Sequence, residues 1–75
     1  MKEIGKRAMK AICERAEKNG TTPEVECSYM GLEQTTYKHW GTKSNPCAYF
    51  LQQMALNDYD VHWILTGERK KYAEY

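Results

Sequence analysis

No run of roughly 18 uncharged apolar residues occurs in the 75-residue chain, so the sequence offers no membrane-spanning helix. Its first residues, Met1-Lys2-Glu3-Ile4-Gly5-Lys6-Arg7, lack the apolar stretch of a secretory signal, and the expected location is the cytoplasm. An excess of one charge is missing too. Eleven basic residues against ten acidic ones leave a net charge of +1, whereas a strongly basic balance is usual for a nucleic-acid-binding domain. Cysteines are few and odd in number: Cys13, Cys27 and Cys47 match neither a secreted disulfide framework nor a CxxC pair. They are expected to be reduced, buried thiols. No pair among these cysteines, His39 and His62 has metal-ligand spacing, so neither a metal nor another cofactor is expected. With two prolines and five glycines the chain is neither collagen-like nor of low complexity.

What remains is ordinary globular usage, 41% hydrophobic and 28% charged, in a length that permits one small domain. Charge is segregated along the chain. Residues 1–20 hold six basic and three acidic side chains, residues 21–32 hold two acids, and residues 33–46 set Lys38 and Lys43 against Glu33. Asp58 and Asp60 make residues 47–67 acidic, while Arg69, Lys70 and Lys71 outweigh Glu68 and Glu74 beyond them. The domain is therefore expected to span residues 1–67, with residues 68–75 a polar tail.

The pattern within the domain is one of short helices. Ile4, Ala8, Ala11, Ile12 and Arg15 or Ala16 form one stripe at i, i+4, i+7, i+8 spacing, which predicts a helix over 2–19 that closes at Asn19-Gly20. The alanines of that face suit a protein core rather than a membrane surface. Thr22-Pro23 starts a second helix, the threonine as cap and the proline at the first position, where an N–H has no partner. Gly31, suited to positive φ, turns the chain at 31–33 into a third helix at about 34–41. There Tyr37 and Trp40, three apart, face inward. Gly41 to Asn45 is a loop, with Asn45 and Pro46 as cap and first residue of a fourth helix whose inner face is Ala48, Leu51, Met54 and Ala55. Asp60 caps a fifth helix, Val61 to Thr66, and Gly67 stops it. Trp40 and Trp63 are assigned to packing, because so small a domain needs large aromatic burial to offset chain entropy. The expected fold is all-α, a compact five-helix domain with a helix-turn-helix.

The segment Thr22-Pro23-Glu24-Val25-Glu26-Cys27-Ser28-Tyr29-Met30-Gly31-Leu32-Glu33-Gln34-Thr35-Thr36-Tyr37-Lys38-His39-Trp40 resembles the lambda-type phage repressor and Cro helix-turn-helix family. Cys27, Leu32, Tyr37 and Trp40 fill the family's small, apolar and tryptophan places around the turn glycine. Asp60-Val61-His62-Trp63-Ile64-Leu65-Thr66-Gly67-Glu68 is similar to the family's ending of the form D-x-x-W-L-L-T-G-E. The departures are specific. Glu26 stands where the family buries leucine, and a local shift would bring Val25 inward instead. Pro23 replaces a glutamine that grips phosphate in relatives, and Glu33 replaces a serine or threonine cap.

The resemblance implies a sequence-specific regulator of transcription, a phage or prophage repressor or Cro-like protein, whose third helix enters the major groove of an operator in double-stranded DNA. Gln34, Thr35, Lys38 and His39 point outward on that helix and are the candidate base readers: glutamine suits adenine, lysine suits guanine O6/N7, and threonine suits a thymine methyl. Thr22, Lys43, Ser44 and Asn45 are the candidate phosphate contacts. Few base readers and modest charge favour a homodimer completed on the DNA, with Val61, Trp63, Ile64 and Tyr72 as the dimerisation surface. No Ser/His/Asp or Cys/His arrangement, carboxylate pair or phosphate-cradling loop is legible, so the chain is not expected to be an enzyme. A second reading is a helix-turn-helix module that binds another regulator and has no DNA affinity, as Glu33, Pro23 and the low net charge permit.

Overall fold

Residues 3–69 are described by a computed structural model. The first helix, α1 (Glu3–Asn19), buries Gly5, Ala8, Ile12 and Ala16, the stripe expected from their spacing. Ala11 and Arg15 flank it half-buried. The second, α2 (Pro23–Tyr29), starts as Thr22-Pro23 implies: the Thr22 hydroxyl accepts the Val25 amide at 3.3 Å and Pro23 occupies the first turn. The helix does not shift to bring Val25 inward. Val25 is half-buried and Glu26 is the buried residue, its carboxylate held by the Thr21 hydroxyl and, at 3.3 Å, by the Asn19 amide. Hydrogen bonds make that burial tolerable.

Gly31 has φ +70°, and past it the Leu32 amide returns to the Cys27 carbonyl at 3.0 Å. The third α-helix expected over 34–41 is absent. One 3-10 turn, Thr36–His39, stands in its place. The physical reason is local: the inward anchors Tyr37 and Trp40 lie three residues apart, which a helix of three residues per turn satisfies. No further apolar residue at i+4 or i+7 demands an α-helix, and Trp40 is already extended (φ −68°, ψ 133°).

The next helix, α3 (Ala48–Leu56), begins two residues later than expected, with Cys47 at its N-cap and no side-chain cap bond. Pro46 is buried ahead of it, and Asn45 caps a different helix: its Oδ1 accepts the Gly5 amide of α1 at 2.8 Å. The expected inner face of α3 also needs correction. Met54 is fully buried and Leu51 half-buried, but Ala48 and Ala55 are exposed. The last helix, α4 (Val61–Thr66), matches expectation, with Asp60 Oδ1 accepting the Trp63 amide at 2.9 Å and Gly67 left-handed at φ +79°. Among the described residues the fold is all-α, with four α-helices and one 3-10 turn.

The core gathers around α1. Ala8 and Ile12 meet Cys27, Met30, Leu32, Tyr37, Trp40, Met54, Tyr59 and Ile64. Long side chains close the helix ends around it. Arg7 Nε donates to the Ile64 carbonyl at 2.8 Å and Nη2 to that of Leu65 at 3.2 Å, at the end of α4. Arg15 donates to the Asn57 and Asp58 carbonyls at 2.9 and 3.1 Å, at the end of α3, and its guanidinium lies 3.9 Å from the centre of the Tyr59 ring. Gln53 does the same for α2, donating to the Met30 carbonyl at 3.0 Å. No described helix is long and apolar enough to cross a membrane.

Candidate nucleic-acid interface

Residues 33–39 form an exposed rim held from beneath by three buried side chains, Leu32, Tyr37 and Trp40. Glu33 organises its start. One carboxylate oxygen accepts both the Thr35 amide, at 2.8 Å, and the Thr35 hydroxyl, at 2.7 Å, and these bonds hold its carboxyl below the usual carboxylate range. Glu33 therefore braces the bend that leads into the 3-10 turn, whose own N-cap, Thr35, makes no side-chain cap bond. The far end of the rim is closed by the His39 carbonyl, which accepts the amides of Thr42, Lys43 and Ser44 at 3.3, 2.9 and 3.1 Å.

The rim is tied to α2 through Glu24. The Tyr37 hydroxyl donates to Glu24 Oε2 at 2.8 Å, and the Lys38 ammonium lies 3.6 Å from the same oxygen. The Tyr37 bond, more than the lysine, holds the Glu24 carboxyl low. Burial and that same bond push the Tyr37 hydroxyl up to about 12.

All four candidate base readers, Gln34, Thr35, Lys38 and His39, are exposed on this rim. They are brought together within six residues, Gln34 and Thr35 on the turn before the 3-10 turn and Lys38 and His39 on it, and not on an α-helix. Of the candidate phosphate contacts, Lys43 and Thr22 are exposed, Ser44 is half-buried, and the Asn45 oxygen is engaged by α1. Thr22 stands two residues before Glu24, at the end of α2 that faces Tyr37 and Lys38. No family model, curated protein or solved structure matches the chain.

The dimerisation residues fare differently. Ile64 is fully buried in the core, because a helix of six residues has only one turn's worth of inward positions and Ile64 fills the central one; it is not available to a partner. Val61 and Trp63 are half-buried, and the Trp63 ring is covered by Arg69 at 4.5 Å with Lys10 at 6.0 Å. Tyr72 lies outside the described residues, as does most of the 68–75 tail.

Cysteine burial is uneven. Cys27 is buried, and loss of solvent pushes its thiol up to about 11. Cys13 and Cys47 are exposed, contrary to the expectation of three buried thiols. Among the described residues no three His, Cys, Asp or Glu side chains come together as a metal site.

Sequence reasoning missed where the positive charge of α1 goes. Arg7 and Arg15 are spent on the carbonyl ends of α4 and α3, and Lys6 pairs with Glu3 at 3.7 Å. Two of the six basic residues in the first twenty thus have structural work. Two helix C-termini without lysine or arginine of their own are the sequence signal for such borrowing.

Proposed function

We propose that the chain is a sequence-specific double-stranded DNA-binding regulator of transcription, a repressor or Cro-like protein of the lambda type built as a reduced helix-turn-helix. The observation that carries this reading is the division of residues 32–40 into inward anchors, Leu32, Tyr37 and Trp40, and outward polar groups, Gln34, Thr35, Lys38 and His39. Hydrogen-bonding side chains displayed together on a rigid support are what major-groove readout requires. The Lys38–Glu24 pair is exposed, and such pairs are weak in water, so lysine can exchange its carboxylate for a guanine edge at little cost. Two copies on a palindromic operator place their reading rims about 34 Å apart and double the contact set.

The runner-up reading, a helix-turn-helix module that binds another regulator, is favoured by the same accounting of charge. Arg7 and Arg15 have guanidinium donors committed to carbonyls of the chain itself, and Glu33 sets a carboxylate at the head of the rim. A mobility-shift assay on random duplex at low salt separates the two. The DNA-binding reading expects at least micromolar affinity that falls steeply with added salt; no shift at any protein concentration would overturn it in favour of the module.

A further inference from the structure

The outward face of α3 carries no charge. There is no charged residue between Lys43 and Asp58, although the chain as a whole is rich in them. Ala48, Tyr49, Gln52, Ala55 and Leu56 are all exposed, and at 100° per residue they share one arc of about 120°. Met54, Leu51 and Phe50 occupy the opposite, core-facing side. The solvent face of a surface helix is normally polar. Here glutamine is its one polar member, and two large apolar side chains stand out, Leu56 at 69% and Tyr49 at 54% exposure.

We propose that this face is the self-association surface of the protein, joining α3 to α3 of a second copy about a two-fold axis. The proposal deepens the dimeric part of the DNA-binding reading and supplies a seam in place of α4, whose Ile64 is in the core. Charge selects the occupant. In a two-fold contact each residue near the axis meets its own copy, so any charge there would face a like charge, and an uncharged strip is what such a contact needs. A DNA backbone has nothing to attract it on this strip. A membrane surface would call for flanking lysine or arginine within the helix. Gln52 lies between Tyr49 and Leu56 along the helix axis, where its amide can bond to the amide of its copy while the two apolar residues pack toward either end. The strip is about 13 Å long, well short of what a standard interface of about 800 Å² per partner demands. The dimer is accordingly weak in free solution and is reinforced when two copies share one DNA site.

Sedimentation equilibrium of the full chain without DNA, from about 10 μM to about 1 mM, tests this. The weight-average mass is expected to rise from one chain toward two. Leu56→Glu is expected to weaken association at least tenfold and to leave the melting temperature nearly unchanged, because Leu56 is exposed. Gln52→Cys, in a Cys13→Ser/Cys47→Ser background, is expected to form a disulfide-linked dimer faster than Cys13 does in the parent chain. A chain monomeric throughout, a Leu56→Glu variant that associates as well as the parent, or slow Gln52→Cys cross-linking each overturns the proposal. Dimerisation with no shift on any duplex would sink the DNA reading and leave this surface standing; DNA binding by a chain that never dimerises would do the reverse.

Discussion

Two glycines show how differently a single residue can constrain this chain. Gly5 sits inside α1 with helical geometry, and its requirement is space. A β-carbon there would overlap the Gly41 backbone nitrogen and lie 2.7 Å from the Ser44 carbonyl oxygen. Gly31 has open space around it and a φ of +70°, so its requirement is torsional. Alanine at Gly31 is expected to cost about 1–2 kcal/mol. Gly5→Ala is expected to cost about 1–3 kcal/mol of overpacking strain, against the gain of up to about 1 kcal/mol that alanine brings to a helix interior. Thermal melts of both variants check this; a stabilised Gly5→Ala protein would mean that the loop at 41–45 does not press against α1.

Three buried acids set the alkaline limit. Burial raises Cys27 from 9.0 to about 11, and Tyr37 and Tyr59 from 10.0 to about 12. The unfolded chain therefore releases these protons at lower pH than the folded one, binds fewer protons between about pH 9 and 12, and becomes relatively favoured as pH rises. Stability is expected to be level from neutral pH to about pH 9 and to decline above it. Cys27→Ala should make the decline shallower between about pH 9 and 11. Urea midpoints measured across this range give the answer, and a midpoint flat to pH 11 contradicts it.

At the scale of elements, the borrowed caps are the distinctive device. Arg15 serves two carbonyls and stacks on Tyr59, a planar task that a lysine ammonium does not reproduce. Arg15→Lys is expected to lose about 1–2 kcal/mol, read as a lower urea midpoint with an unchanged slope; parity with the parent would reduce the contact to decoration. What the sequence could disclose divides along the same line. Caps made by neighbours in sequence were legible: Thr22 on α2, Asp60 and Gly67 on α4, the glycine turn at 31. Caps made across the fold were not. Nothing in the local pattern of Asn45 says that its oxygen serves Gly5, so Asn45-Pro46 read as the head of α3, which starts only at Ala48. The third helix failed for a related reason. Anchors at a spacing of three fit either helix type, and with no apolar residue at i+4 or i+7 the pattern alone does not separate them. The bend that Glu33 and Thr35 form ahead of the turn is a contact the sequence does not announce. At the candidate site the outward residues were legible from Tyr37 and Trp40 facing in, whereas the Glu24 tie to Tyr37 and Lys38 joins residues more than ten apart and follows from packing alone.

For the whole molecule, readout and attraction should separate by residue. Gln34→Ala is expected to cost about 1–3 kcal/mol on the preferred site and to relax preference at one base pair, while Lys43→Ala should weaken all duplexes alike and make the salt slope shallower by about one unit. Binding selections with both variants test it, and an unchanged preference after Gln34→Ala would remove residue 34 from the reading set. The salt slope is informative because it counts the cations that neutralise phosphate, and Arg7 and Arg15, engaged by carbonyls, are expected not to be among them.

Arg7 and Arg15 lie two turns apart on one helix, each gripping the end of a different one. Neither α3 nor α4 can swing away from α1 without tearing a guanidinium off its carbonyls, so opening either one alone forfeits those bonds as well as its apolar contacts. In hydrogen exchange, the interior amides of α1 and α4 should then share one opening free energy and one dependence on denaturant, with the rim at 33–39 exchanging earlier and by itself. Replacing Arg7 by glutamine should split that shared value in two, α4 exchanging ahead of α1; a pair that stays synchronised would assign the coupling to the Ile12–Ile64 core instead.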